Sequence, residues 1–135
     1  MSKITARRAA MQLVYENMFG GLGGDETLLG MVEYPVDNEE EISYIYDLVT
    51  GAVRHAKETD DIIEKYSPKR ELDRIPGISR AVLRLALYEL KYCLDTPESV
   101  VINEAVEMTK RFSLPDDSRF INGLLGAYIR ENPRP

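Results

Sequence analysis

The stretch RAVLRLALYEL, residues 80–90, restricts the possible folds more than any other part of the chain. Val82, Leu83, Leu85, Ala86, Leu87 and Leu90 cover so much of a helix circumference that a helix here must be enclosed by other helices, not laid on a surface. Arg80, Arg84, Glu89 and Lys91 interrupt or border that apolar surface. In a nearly enclosed helix each must reach solvent or a partner.

The rest of the chain supplies the enclosing helices. Between Lys3 and Phe19, Ala10, Met11, Val14 and Met18 share one face, with Ser2 or Thr5 available as the cap. Arg7 and Arg8 fall in or near the first turn, where the helix macrodipole disfavours a positive charge by up to about 1 kcal/mol. Arg8, Gln12 and Tyr15, at i, i+4 and i+7, share a stripe suited to a phosphate and a stacked base, or to plain solvent. Gly20, Gly21, Gly23 and Gly24 end this helix; without a following Lys-Ser/Thr or a preceding strand they read as a linker, not a phosphate loop. The segment to Asn38 is irregular or holds one short helix near Glu26 to Val32, which Pro35 terminates.

From Glu39, a stripe of Ile42, Ile45, Tyr46, Val49, Ala52, Val53 and Ala56 forms an amphipathic helix whose first-turn glutamates complement the dipole. Ile62, Ile63 and Tyr66 continue past Thr59, which with Asp60 offers a cap, so one bent helix and two helices are both compatible with the pattern. Pro76 and Gly77 introduce the central helix, with Ser79 as its expected cap. Glu98 to Arg111 forms the next, turning Val101, Ala105 and Met108 inward. Pro115, Asp116, Asp117 and Ser118 start the last, where Ile121, Leu124, Leu125 and Tyr128 repeat at helical spacing. Gly123 and Ala127 lie on one side of it and suggest a close helix crossing, because an interior Gly otherwise costs about 1 kcal/mol. The tail from Asn132 to Pro135 is expected to be loose. Nothing reads as a strand, and the expectation is an all-α bundle of six or seven helices.

Composition narrows the function classes. The 135 residues suffice for a single domain that buries roughly two-thirds of its unfolded surface. Cys93 has no partner for an internal disulfide, no apolar run approaches the roughly 20 residues of a membrane span, and MSKITARRAAMQ lacks a secretory core. A cytoplasmic, reducing setting is the expectation. With 23 Asp and Glu against 17 Lys and Arg, a net charge of -6 argues against general coating of nucleic acid but leaves room for a local basic site. The first residues are basic, whereas Asp25 to Asp47 carries acids and no Lys or Arg.

Catalysis finds little support. His55 has no ligand at zinc spacing, Cys93 has no histidine near it in sequence, and the pairs Asp60–Asp61 and Asp116–Asp117 sit where helix caps are expected. No cofactor or metal is implied. Binding remains: Lys3, Arg7, Arg8 and Tyr15 at one end and Arg119 and Phe120 near the other combine phosphate-neutralising cations with base-stacking rings, the mixture that single-stranded RNA requires.

RAVLRLALYEL, VVINEAVEMTKRF and SRFINGLLGAYI, in this order and separation, together with ARRAAMQLVYE near the start, resemble the NusB family of transcription antitermination factors. The resemblance implies two packed three-helix bundles, here roughly 1–67 and 76–132. It implies recognition of boxA-type RNA together with the small-subunit ribosomal protein that acts as NusE, in an RNA polymerase antitermination complex. The resemblance implies RNA-binding roles for Arg7, Asp116 and Phe120 and a partner-binding role for Tyr15; with the cations Lys3, Arg8 and Arg119 these complete the expected RNA-binding set, and Asp73 and Arg80 join Tyr15 as expected partner-binding residues. The chain departs from the family at its amino terminus, where Ile4 and Thr5 stand at places commonly held by arginine. Weaker RNA binding without the partner is the consequence, since each phosphate left without a cation on a single strand lowers the salt slope by about 0.7. The acidic segment suits a basic partner or a solvated face. Arg84 is expected to pair with Glu104. Two other readings compete: a relative of the RNA-binding accessory domain of an rRNA cytosine methyltransferase, and a protein-only scaffold acting as a homodimer.

Overall fold

A computed structural model describes residues 3–20 and 39–135, with side chains from Thr5 onward in the first segment. The glycine run after Gly20, the short helix expected near Glu26 to Val32, Pro35, the Ser2 cap and most of the acidic segment lie outside the described residues. Six α-helices run through the remainder: α1 Lys3–Met18, α2 Glu39–Arg54, α3 Ala56–Tyr66, α4 Gly77–Tyr92, α5 Glu98–Phe112 and α6 Pro115–Glu131. A 3-10 turn at Leu72–Arg74 leads into α4. There is no strand among the described residues.

Helix α4 is the RAVLRLALYEL helix, and it packs against each of the other five. Val82, Leu83, Leu85 and Leu87 are fully buried, as the near-complete apolar circumference requires. Three of its four charges, Glu89, Arg84 and Lys91, are met by partners on other helices. Glu89 is 1% exposed and accepts from Arg7 of α1. Arg84 donates to Asp60 of α3 at 2.9 and 2.7 Å, not to the expected Glu104. Lys91 and Tyr92 both reach Glu58. Asp60 is therefore an interhelical partner rather than a cap, and Thr59 lies inside α3 with its hydroxyl donating to the Ala56 carbonyl.

Residues 39–66 form two helices, separated at His55 alone. The His55 backbone, at φ -98 and ψ 16, leaves the helical region, while its ring stacks on Tyr92 with centroids 4.3 Å apart and its Nδ1 lies 3.2 Å from Glu58. Aromatic packing from α4 thus stabilises the break. Ser79 is not the cap of α4, which begins at Gly77; the Ser79 side chain is buried, with Oγ 3.5 Å from Ser113 Oγ. Asp117 does act at the start of α6, accepting from the Leu114 N–H and the Ser113 hydroxyl at 3.3 and 2.7 Å.

Two expectations are corrected by packing. The tail is tied down, because Arg134 donates to the carbonyls of Glu89, Leu90, Cys93 and Thr96. Gly123 is exposed, and a Cβ built there meets nothing within 4 Å. The close approach is at Gly51 of α2, where a Cβ would stand 2.0 Å from Tyr88 Cζ. Tyr88 cannot easily yield, since its ring lies against His55 and Tyr92 with centroids 5.7 and 5.5 Å away.

Opposite outcomes follow for two alanine substitutions. Gly123→Ala is expected to raise unfolding free energy in urea by about 0.5–1 kcal/mol, because it restricts the unfolded chain and fills open space. Gly51→Ala is expected to lower it by about 1–3 kcal/mol through overpacking against Tyr88. Equal shifts in the two variants would contradict the assignment of the close crossing to α2 and α4.

Candidate nucleic-acid interface

The two adjacent arginines of α1 have different surroundings. Arg7 is 2% exposed, and its Nε lies 3.2 and 3.0 Å from the two carboxylate oxygens of Glu89. Burial pushes the Glu89 carboxyl above its ordinary range, and the Arg7 guanidinium opposes that rise. The structure places Arg7 in the interior, not on the surface suggested by its position among basic residues. A guanidinium committed to a buried carboxylate has no free face for RNA.

Between Thr5 and Tyr15 the residues of α1 that escape burial are Thr5, Arg8, Gln12 and Tyr15. Their spacing of three, four and three makes a single half-buried strip along the helix. It contains the Arg8–Gln12–Tyr15 stripe of guanidinium, amide and ring. Arg8 Nε is shielded and finds no hydrogen-bond partner among the described residues. Lys3 opens α1, and its side chain lies outside the described residues.

At the start of α6, Asp116 and Arg119 are exposed and face each other at 3.6 Å, a surface pair that adds little stability. Phe120 is half-buried, with the Arg70 guanidinium carbon 4.8 Å from its ring centroid. Arg70 Nη2 also lies 3.5 Å from the buried Asp117. Sequence reasoning missed Arg70 because it sits in the turn after α3, far from Phe120 along the chain, and no periodicity relates the two.

Helix α4 sets the distances between these groups. Arg7 of α1 meets it at Glu89, while a Cβ on Gly77 would lie 2.8 Å from the Tyr15 ring, so α1 runs antiparallel to α4. The turn between α5 and α6 meets α4 at Ser79 through Ser113. With a rise of 1.5 Å per residue, the Arg7 and Ser113 contacts are therefore about 15 Å apart along α4. Among the described side chains of the expected RNA-binding set, Arg7 and Arg8 lie on α1 and Asp116, Arg119 and Phe120 together on α6.

The expected partner-binding residues gather more closely, around the start of α4. Tyr15 packs edge-on against Phe19 at 5.0 Å, and both rings touch the Gly77 position. Phe19 is 70% exposed, an apolar ring that sequence reasoning did not assign. Asp73 in the 3-10 turn and Arg80 on the first turn of α4 line one groove of about 520 Å³. Arg80 Nε is buried there without a hydrogen-bond partner among the described residues.

Burial pushes the Cys93 thiol up, away from the thiolate a nucleophile needs. Among the described residues no group of three metal-ligating side chains converges, and no helix is long and apolar enough to cross a membrane.

Residues 4–130 match the NusB family pattern. The chain is 37% identical over 129 residues to the transcription antitermination protein NusB of Desulforamulus reducens, covering 96% of this chain and 90% of that protein. Its fold superposes on T. maritima NusB with a TM-score of 0.84 at 27% identity, over 99% of this chain and 94% of that one. A crystal structure of antitermination factors NusB and NusE in complex with dsRNA superposes with a TM-score of 0.81 at 30% identity, over 96% of both chains.

The contrast between the neighbouring arginines is directly measurable. Arg7→Ala is expected to cost about 3–5 kcal/mol of unfolding free energy by stranding Glu89. Arg8→Ala is expected to cost about 1 kcal/mol or less. Chemical denaturation of the two variants checks this, and a stable Arg7→Ala protein would remove Arg7 from the core.

Proposed function

Because the chain belongs to the NusB family, we propose that it is a transcription antitermination factor. In this reading it binds boxA-type single-stranded RNA of nascent rRNA, together with the small-subunit ribosomal protein acting as NusE. It works in the cytoplasm by binding, helping RNA polymerase to read through terminators. The observation that carries the reading is the family match over residues 4–130, joined to the half-buried Arg8–Gln12–Tyr15 strip.

The RNA contacts proposed are Lys3 and Arg8 on α1 and Asp116, Arg119 and Phe120 on α6. Lys3, Arg8 and Arg119 neutralise phosphates, and the half-buried Phe120 offers a ring edge to a base. A carboxylate repels phosphate, so Asp116 serves by steering Arg119 from 3.6 Å or by accepting from a base amino group. Tyr15, Asp73 and Arg80 contact the ribosomal protein, and exposed Phe19 extends the same patch. With Arg7 committed to the core, the cationic set on α1 is small. Tight binding then depends on the partner, whose own cations and contacts complete the surface.

Titration of a labelled boxA-type RNA at two salt concentrations, with and without the ribosomal protein, tests this reading. Affinity is expected to rise when the partner is added, and Arg8→Ala is expected to reduce the salt slope by about 0.7. If boxA-type and scrambled RNAs bind alike in the presence of the partner, the proposal fails.

A further inference from the structure

We infer that Arg70 is a stacking platform for one RNA base, with Lys69 beside it for an adjoining phosphate. This rests on the RNA-binding reading above and adds a subsite to it. The turn between α3 and the 3-10 segment and the Phe120 side of α6 enclose an open cavity of about 550 Å³, lined by Tyr66, Ser67, Pro68, Lys69, Arg70 and Phe120. Its wall contains two cations, two aromatic rings and no carboxylate, although the chain as a whole carries a net charge of -6. That composition matches a nucleotide, which needs a flat apolar face for the base and positive charge for the phosphate.

Arg70 is held in place from behind. Its guanidinium lies over Phe120 and its Nη2 faces the buried Asp117, yet its side chain remains 36% exposed. Asp117 is itself held by the Leu114 N–H and the Ser113 hydroxyl. The guanidinium is therefore supported by a ring, countered by one carboxylate and still open to solvent. A guanidinium plane stacks on bases as an aromatic ring does, and one already immobilised loses little freedom when a base arrives.

The cavity walls are equally fixed. Ser67 Oγ donates to the Ile63 carbonyl at 2.6 Å, and the Arg70 N–H donates to the Ser67 carbonyl at 3.1 Å, which sets the turn. The Tyr66 hydroxyl is tied to Glu131 and Asn132 of the last helix and its tail. The adjacent groove, by contrast, mixes Arg80 with Glu64, Glu71 and Asp73, and those carboxylates disfavour phosphate. Nucleotide chemistry is thus confined to the Lys69 side of Arg70.

The test uses the full chain with the ribosomal protein and a boxA-type RNA, plus a series of that RNA made abasic at one position at a time. Arg70→Lys keeps a charge opposite Asp117 but removes the plane. It is expected to bind the intact RNA about tenfold more weakly with the salt slope and the melting temperature unchanged. Against one abasic RNA of the series the parent and Arg70→Lys are expected to bind equally. Lys69→Ala is expected to lower the salt slope by about 0.7. If Arg70→Lys matches the parent on every RNA, the platform is overturned. It is also overturned if the variant weakens binding of the ribosomal protein without RNA, which would assign Arg70 to the protein interface. A parent chain that binds no RNA overturns the RNA reading itself, so the two failures are distinguishable.

Discussion

The buried contact between Arg7 and Glu89 is the interaction on which the arrangement of this bundle depends. It joins the first turns of α1 to the last turn of α4 across 82 residues of sequence, with both side chains almost wholly removed from water. Two buried charges cost several kcal/mol each to desolvate, and only their mutual attraction and good geometry repay this. Helix α1 is therefore held in one register along α4, since a one-residue slide would strand both charges. Small residues on the buried side of α1, Ala6, Ala9 and Ala10, favour close packing of that helix.

The end of α4 also explains why a positive charge is tolerated inside. The carboxyl end of a helix carries partial negative charge and unsatisfied carbonyls, so cations are favourable there. Arg134 exploits the same site from the tail, donating to the carbonyls of Glu89, Leu90, Cys93 and Thr96. Guanidinium groups from near both ends of the chain thus converge on one helix terminus. The opposite end of α4 is built differently, with Tyr15, Phe19, Arg80 and the 3-10 turn around its start. Aromatic packing between Tyr15 and Phe19, not a buried ion pair, holds α1 against that end.

Much of the fold was legible in the sequence because helical periodicity is a local property. The enclosed character of residues 80–90, the inward faces of α5 and α6 and the helix starts marked by Pro76 and Pro115 all follow from local sequence within one segment. The candidate site was legible only in part. The Arg8–Gln12–Tyr15 stripe emerged as one half-buried strip, since side chains at these intervals must share a side of the helix. Arg7 was misplaced, because basic residues near a chain start look alike until a buried carboxylate is found opposite one of them. Arg70 was missed for the same reason, its significance coming from Phe120 and Asp117 on another helix.

By itself the sequence determined the all-α class, the burial of residues 80–90 and the membership of Arg8 in one stripe with Gln12 and Tyr15, all consequences of periodic patterning within single helices. Only the tertiary structure decided which charges pair: Arg7 with Glu89, Arg84 with Asp60 and Arg70 with Asp117. It likewise decided that Gly51, not Gly123, sits at a close crossing. The physical reason is common to these cases. A charge or a missing side chain acquires its meaning from what stands across from it, and that neighbour is set by how helices distant in sequence pack, not by the residues beside it in the chain.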